Sequence, residues 1–445
     1  ISLDYADVWG ERHAVPTDTK RQFLDAMGVR GPDDADRAAA AQAFTQRAWR
    51  EPLLPVYVLR AGAAPVVTVT LPARLETTRR WRLTLESGVQ SEGEFDPGGA
   101  EVLERRSIDN IDYVRYRWTL PAALALGYHQ LSFDGAPKPT LLVIAPDRCY
   151  EPEVLAQGNR VWGFAVQLYA LRSARNWGIG DFGDLREFVA HCAGAGAALV
   201  GLNPLHALFP HNAEHASPYS PSSRLFLNML YIDVEAIPEF SECEAARRTV
   251  AAPAFQAALA QLRARDTVDY RGVAARKREI LELLYSDFRE RHLAVATPTA
   301  KAFREFQLKG GAALERHAIY EALQEHLHSR DANLWGWPVW PQEYRRPEAP
   351  AVAEFARAQR ERVEFFQYTQ WQADRQLQRA AAAAEGLAIG LYRDLAVGVD
   401  RGGAEAWGNQ DLYALDVSVG CPPDDFNLHG QNWGLPPMLP SALRA

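Results

Sequence analysis

The spacing of apolar positions changes three times along the chain. Up to about residue 50 it is helical: Thr17 or Thr19 can cap a short helix carrying Phe23, Leu24 and Met27 that Gly28 stops, and an Ala-rich helix follows Pro32 to about Trp49. From Leu53 to Ile144 the period is two, in Val56 and Val58, then Val67, Val69 and Leu71, then Trp81, Leu83 and Leu85, then Tyr113 to Leu120, Tyr128 to Phe133 and Thr140 to Ile144. Six such runs between Gly, Pro and Asp turns predict a small antiparallel β-sandwich. Trp81 and Trp118 fall inside strands and read as core. The module either packs against its neighbour or binds substrate.

At Val161 the pattern becomes strand then helix. VWGFAVQLYAL reads as a strand, Asp184 with Glu187 as a capping box, and Leu185, Phe188, Val189 and Cys192 as one helix face. Ala197 to Leu205 is the next strand, so this βαβ unit predicts a parallel sheet. From Pro253 to about Ala384 the period is helical almost throughout, an insertion before a third strand of Leu387, Ile389, Leu391 and Tyr392. The domains expected are a helical segment at 1–50, a β-sandwich module at 51–147 and an α/β portion at 148–445, with the insertion at about 252–385.

Composition narrows the partners. The 445 residues are 47% hydrophobic and 23% charged, the profile of a globular chain of two or three domains. A formal charge of −8 gives no general attraction to nucleic acid or anionic lipid, and neither is an expected partner. No apolar run reaches the roughly 18 residues of a membrane span. Cys149, Cys192, Cys243 and Cys421 are scattered without a CxxC pair, which fits a reducing cytoplasm and suggests neither a disulfide framework nor a zinc ribbon.

Candidate chemistry gathers where the third strand ends. Ligands of parallel α/β sheets bind at the carboxyl ends of the strands, and there Asp394, Asp400, Glu405 and Trp407 follow in quick succession. Asp424, Phe426, Gln431, Asn432 and Trp433 repeat the mixture of carboxylate, amide and aromatic. It suits a sugar, whose apolar face stacks on an indole or phenol while its hydroxyls need fixed acceptors and donors; a Trp-rich core with a capped turn has the same composition. Asn176, Trp177 and Asp181 also follow a strand and could face a ligand. Tyr219, Ser220, Ser222, Ser223 and Asn228 form a candidate hydroxyl-binding loop. His206, His211 and His215 match no zinc template. WGWPVWPQEY, Trp335 to Tyr344, is either packing or a groove rim.

Five blocks, WGIGDFGDL (177–185), NPLHALFP (203–210), SPYSPSSRLFLNMLYIDV (217–234), GLYRDLAVGV (390–399) and GCPPDDFNLHGQNWGLPP (420–437), resemble in order the signature blocks of the 4-α-glucanotransferases, also called amylomaltases or disproportionating enzymes. The resemblance implies an α/β fold, a (β/α)₈ TIM barrel, with the β-module and short amino-terminal helices as the extension of longer bacterial members. It implies transfer of α-1,4-glucan segments between maltodextrins by retaining double displacement, with glucose or maltose as acceptor and no cofactor or metal. It places Asp394 and Tyr219 at the subsite of bond cleavage, and Asp400, Trp407, Asp424, Gln431 and Trp433 along or behind the glucan groove. The family's nucleophile sits in an RxDH block that does not occur here, and its acid/base follows later. The expectation is therefore an incomplete barrel whose catalytic carboxylates lie beyond Ala445, inactive by itself. An α-amylase-type hydrolase and a non-catalytic glucan-binding protein are the alternatives.

Overall fold

The computed structural model describes residues 3–75, 77–121 and 124–443. Contacts divide the chain into two compact units, Ile1–Ala6 with Glu11–Glu151 and Met438–Ala445, and Asp7–Gly10 with Pro152–Pro437.

The first unit opens with a short antiparallel pair, Asp4–Ala6 with Arg12–Ala14, where the sequence reading had only helix, and continues with helices α1 (Thr17–Ala26) and α2 (Asp34–Arg50). Asp33 caps α2 by accepting from the Asp36 amide, whereas Pro16 stands before α1 and no hydroxyl caps it. Eight strands follow: β1 (Val56–Arg60), β2 (Val66–Pro72), β3 (Arg79–Thr84), β4 (Gln90–Phe95), β5 (Glu101–Ile108), β6 (Ile111–Thr119), β7 (Gly127–Phe133) and β8 (Thr140–Ala145). They form a five-stranded sheet, β1-β8-β7-β3-β4, and a three-stranded sheet, β2-β6-β5. Alternation puts Val67, Val69 and Leu71 of β2 and Val114, Tyr116 and Trp118 of β6 into a core shared with Trp81, Phe95, Leu131 and Phe133. Two findings depart from the sequence reading. Strands β4 and β5 are additional, because QSEGEF and EVLERRSI are mostly solvent-facing and carry no apolar alternation. The sheet is mixed, since β1 runs parallel to β8.

The second unit holds the parallel sheet. Strands β9 (Gly163–Val166), β10 (Leu199–Leu202) and β13 (Gly390–Arg393) pair in the order β9-β10-β13, with Gly163 opposite Leu199 and Leu199 opposite Gly390. A short antiparallel pair, β11 (His206–Ala207) and β12 (Ser223–Leu227), follows β10. Helix α3 (Phe182–Gly194) connects β9 to β10, and its capping box is set one turn before the expected one: Asp181 is the cap, its side chain accepting from the Asp184 amide while Asp184 accepts in return. Glu187 is exposed and takes no part. Helices α4 (Glu244–Ala251), α5 (Pro253–Ala264), α6 (Tyr270–Phe288), α7 (Pro298–His328), α8 (Pro350–Ala358) and α9 (Arg360–Ala382) make the insertion. Phe288, Phe303, Tyr368 and Trp371 meet at its centre with ring separations of 5.1 to 6.2 Å. Helix α7 breaks at Gly311 (φ 51°, ψ −144°), a conformation that a side chain would strain. The last elements are α10 (Ala404–Gly408) and the hairpin β14 (Val419–Cys421) with β15 (Gln431–Leu435). No helix among the described residues is long and apolar enough to cross a membrane.

Candidate functional site at the carboxyl ends of the parallel strands

The three strand ends are stitched together before any ligand chemistry begins. Asn203, just past β10, accepts from the Leu168 amide at 2.8 Å and donates to the Pro204 carbonyl and the Tyr231 hydroxyl. Asp394, the first residue past β13, donates its amide to the Leu202 carbonyl at 3.1 Å, and one carboxylate oxygen accepts from the Leu395 amide. Tyr219 stands beside this carboxylate with half of its surface open, 51%. Loss of solvent first and the Asp394 charge second push its phenol above the ordinary value, with Tyr169 adding to the effect. Tyr169 follows β9, so groups from all three strand ends converge here.

Asp400 fixes the loop that carries Tyr219. One oxygen accepts from Ser220 Oγ and His215 Nε2, each at 3.1 Å, and the other from the Gly402 amide at 2.7 Å, while its own amide donates to the Pro221 carbonyl. Ser222 is fully buried and accepts from the Ala404 amide. Chains approach closely at this point: a Cβ on Gly403 would meet the Ser222 carbonyl oxygen at 2.6 Å. Arg224 completes the seam. Its amide and guanidinium donate to Glu405 at 2.7 and 2.9 Å, and Tyr413 donates to the same carboxylate at 2.6 Å. His215 in turn lies against Phe209 and Trp335, at centroid distances of 4.8 and 5.3 Å.

The remaining predicted residues divide by position. Trp407 is fully buried against Tyr320 and Trp340, and its Nε1 donates to the Tyr344 carbonyl, so no face of its indole is open. Asp424 shapes a turn by accepting from the Phe426 and Asn427 amides. Gln431 and Trp433 lie exposed on β15, where Trp433 Nε1 donates to Gln431 Oε1 at 3.0 Å. This hairpin reaches the Asp394–Asp400 loop at Leu435, 3.1 Å from where a Gly398 Cβ would stand.

Other sequence candidates are interior. Asn176, Trp177 and Asp181 are 1–3% exposed, and Asn176 and Trp177 donate to Asp184 and Glu235. They belong to a buried charge cluster in which Arg175 pairs with Asp233 and Asp184, and Lys277 donates to the Leu230 and Ile232 carbonyls at 2.7 Å. Ser223 and Asn228 accept from nearby amides at a strand start and a turn, rather than facing outward. The three histidines are dispersed: His211 is enclosed near Glu321, His215 is bound to Asp400, and His206 accepts from the Ala396 amide. Tyr169 was missed because VWGFAVQLYAL reads as one strand to Leu171, whereas β9 ends at Val166 and Leu168–Ala170 forms a turn, which puts Tyr169 past the strand end.

Residues 166–445 match the Glyco_hydro_77 family model, described as 4-alpha-glucanotransferase. The chain belongs to glycoside hydrolase family 77. Residues 52–146 match the MalQ N-terminal beta sandwich domain. Family relatives include the 4-alpha-glucanotransferase of Haemophilus influenzae, 39% identical over 329 residues that cover 72% of this chain and 47% of that protein. The 4-alpha-glucanotransferase of Mycobacterium tuberculosis is 36% identical over 459 residues, covering 100% of this chain and 60% of that one. A crystal structure of amylomaltase from Corynebacterium glutamicum superposes with a TM-score of 0.79 at 29% identity, covering 100% of this chain and 60% of that chain. This family 77 chain thus spans about half to three-fifths of the length of the relatives it matches.

Proposed function

We propose that this chain binds an α-1,4-glucan across the carboxyl ends of β9, β10 and β13, as part of a 4-α-glucanotransferase that moves glucan segments between maltodextrins. The observation that carries the reading is the meeting of the Tyr219 phenol and the Asp394 carboxylate, far apart in sequence, at an open position beyond a parallel sheet. A phenol stacks on or donates to a pyranose, and a carboxylate accepts two of its hydroxyls. Trp433 and Gln431 offer an exposed indole with an amide beside it, Asp424 shapes the turn that carries them, and Asp400 and Trp407 support the groove from behind. In this reading the three strands are part of a (β/α)₈ barrel.

Retaining transfer needs two carboxyl groups about 5–5.5 Å apart, one to attack the anomeric carbon and one to protonate the leaving oxygen; the acceptor 4-hydroxyl, of glucose or maltose, then takes the place of water. Asp400 and Glu405 have their oxygens occupied by loop donors, which leaves Asp394 as the open carboxylate of this cluster. Its role is to bind and orient sugar. Calorimetric titration with maltoheptaose tests the reading: binding is expected, and Tyr219→Ala, Asp394→Asn and Trp433→Ala should each weaken it by about tenfold, the loss of one hydrogen bond or stacking contact. No binding by the unaltered protein would overturn it. Any turnover of maltotriose should give glucose with a ladder of longer maltodextrins, whereas maltose and glucose alone would indicate hydrolysis.

A further inference from the structure

The segment from Asp394 to Asp400 crosses the candidate site without secondary structure, so its shape depends on what holds it. Four ties do so: the Asp394 amide to the Leu202 carbonyl at 3.1 Å, the Ala396 amide to His206 Nε2 at 3.3 Å, Arg224 Nη1 to the Val397 carbonyl at 3.4 Å, and the Asp400 amide to the Pro221 carbonyl at 2.8 Å. Three of these partners keep their hydrogen-bonding character at every ordinary pH. The imidazole does not.

A backbone amide can only donate, so His206 Nε2 must be the unprotonated nitrogen and the ring proton sits on Nδ1. A second proton would turn Nε2 into a donor facing the Ala396 N–H, and the tie would become a repulsive contact. The surroundings favour the neutral ring. His206 is half-buried, and Ala396 is 2% exposed, so water cannot readily replace the lost acceptor. The charged groups facing the ring come from three elements: Arg224 on β12 opposes protonation, whereas Glu405 on α10 and Asp394 after β13 favour it. Burial is the largest influence, and with Arg224 it holds the imidazole below its ordinary value.

We propose that His206 is a positioning residue whose neutral imidazole latches the Asp394–Asp400 segment across the site, and that acidification releases this latch. A group depressed in the folded state contributes fully above its ordinary value of about 6.5, and the contribution is lost as pH falls below that value through the folded one. The consequence for sugar rests on the glucan-binding reading, because Asp394 is carried on the latched segment; the latch itself does not.

Hydrogen exchange at the amides of Leu395 to Val399, expressed as protection factors between pH 7.5 and pH 5, tests it with no ligand present. Protection in the unaltered protein should fall about fivefold to tenfold across that range, as expected for one lost hydrogen bond. His206→Gln supplies an amide oxygen that accepts without titrating, and its protection should stay level; His206→Ala should be low at both pH values. Selective ¹⁵N labelling of histidine, which needs no variant, should show the Nδ1–H form at pH 7.5. Level protection in the unaltered protein, the same decline in His206→Gln, or an Nε2–H tautomer would each overturn the latch. A parallel titration with maltoheptaose should show binding that weakens in step with protection. If exchange follows His206 but maltoheptaose binds at no pH, the latch stands and the glucan reading falls.

Discussion

Glu321 shows how far a single residue can depart from its usual behaviour. It lies on α7 with 3% exposure; Oε1 has no hydrogen-bond partner, and Oε2 is 3.8 Å from His211 Nε2. Burial pushes its carboxyl well above the ordinary range and holds His211 down to about 3, so the two face each other as neutral acid and neutral base. The cavity it lines with His317 is about 10 Å³, room for one water. A carboxyl raised on folding contributes its stability below its unfolded value and loses it as pH rises. Glu321→Gln should therefore raise the melting temperature at pH 8, with a gain that shrinks towards pH 5; a lower melting temperature at pH 8 would show that Glu321 is ionised and paired. Asp181 follows the same sign. Burial, opposed first by Lys277, raises it to about 6, so stability from this group is present below about 3.8 and lost as pH rises through about 6. Asp181→Asn keeps a capping oxygen on α3, and should flatten that part of the stability profile measured by urea unfolding.

At the scale of elements, legibility followed the hydrophobic period. Strands β2, β3, β6, β7 and β8 each bury one face and were plain in the sequence; β4 and β5 expose nearly every residue, and only cross-strand pairing defines them. Local register was less legible. WGIGDFGDLRE (177–187) contains acidic residues at 181, 184 and 187, so two boxes fit the same pattern, and only the extended backbone at Asp181 decides between them. At the candidate site, Asp394 and Tyr219 could be nominated from their place after a strand and in a polar loop. Asp400, Glu405 and Ser222 were nominated singly in the same way, but Arg224 and the seam that joins them could not be read, because its hydrogen bonds link segments about 180 residues apart. Trp407 was chosen by residue type, and type does not distinguish a platform from a buried ring. The kink in α7 offers an element-level test: Gly311→Ala places a side chain at φ 51°, and should cost about 1–3 kcal/mol in chemical unfolding. An unchanged midpoint would mean that the helix straightens without penalty.

For the whole molecule, net charge and ligand chemistry give a joint expectation. The chain carries a formal charge of −8, whereas a maltodextrin carries none, so binding should need no counterion release. The maltoheptaose dissociation constant should change by less than about twofold between 50 and 300 mM salt, and a steep salt dependence would point to an anionic ligand instead. The Asp400 anchor sets a different constraint, on biogenesis. Its carboxylate gathers Ser220 and His215 from positions 180 and 185 residues earlier, with all of α4 to α9 in between. During synthesis the stretch carrying Tyr219 leaves the ribosome long before its clasp exists, and at ordinary elongation rates the interval is on the order of ten seconds or more. A nascent chain halted before Asp394 should be cut by protease between Asn212 and Arg224, and one extended past Glu405 should resist: the cleft is among the last parts of this unit to mature, however early its first half is made.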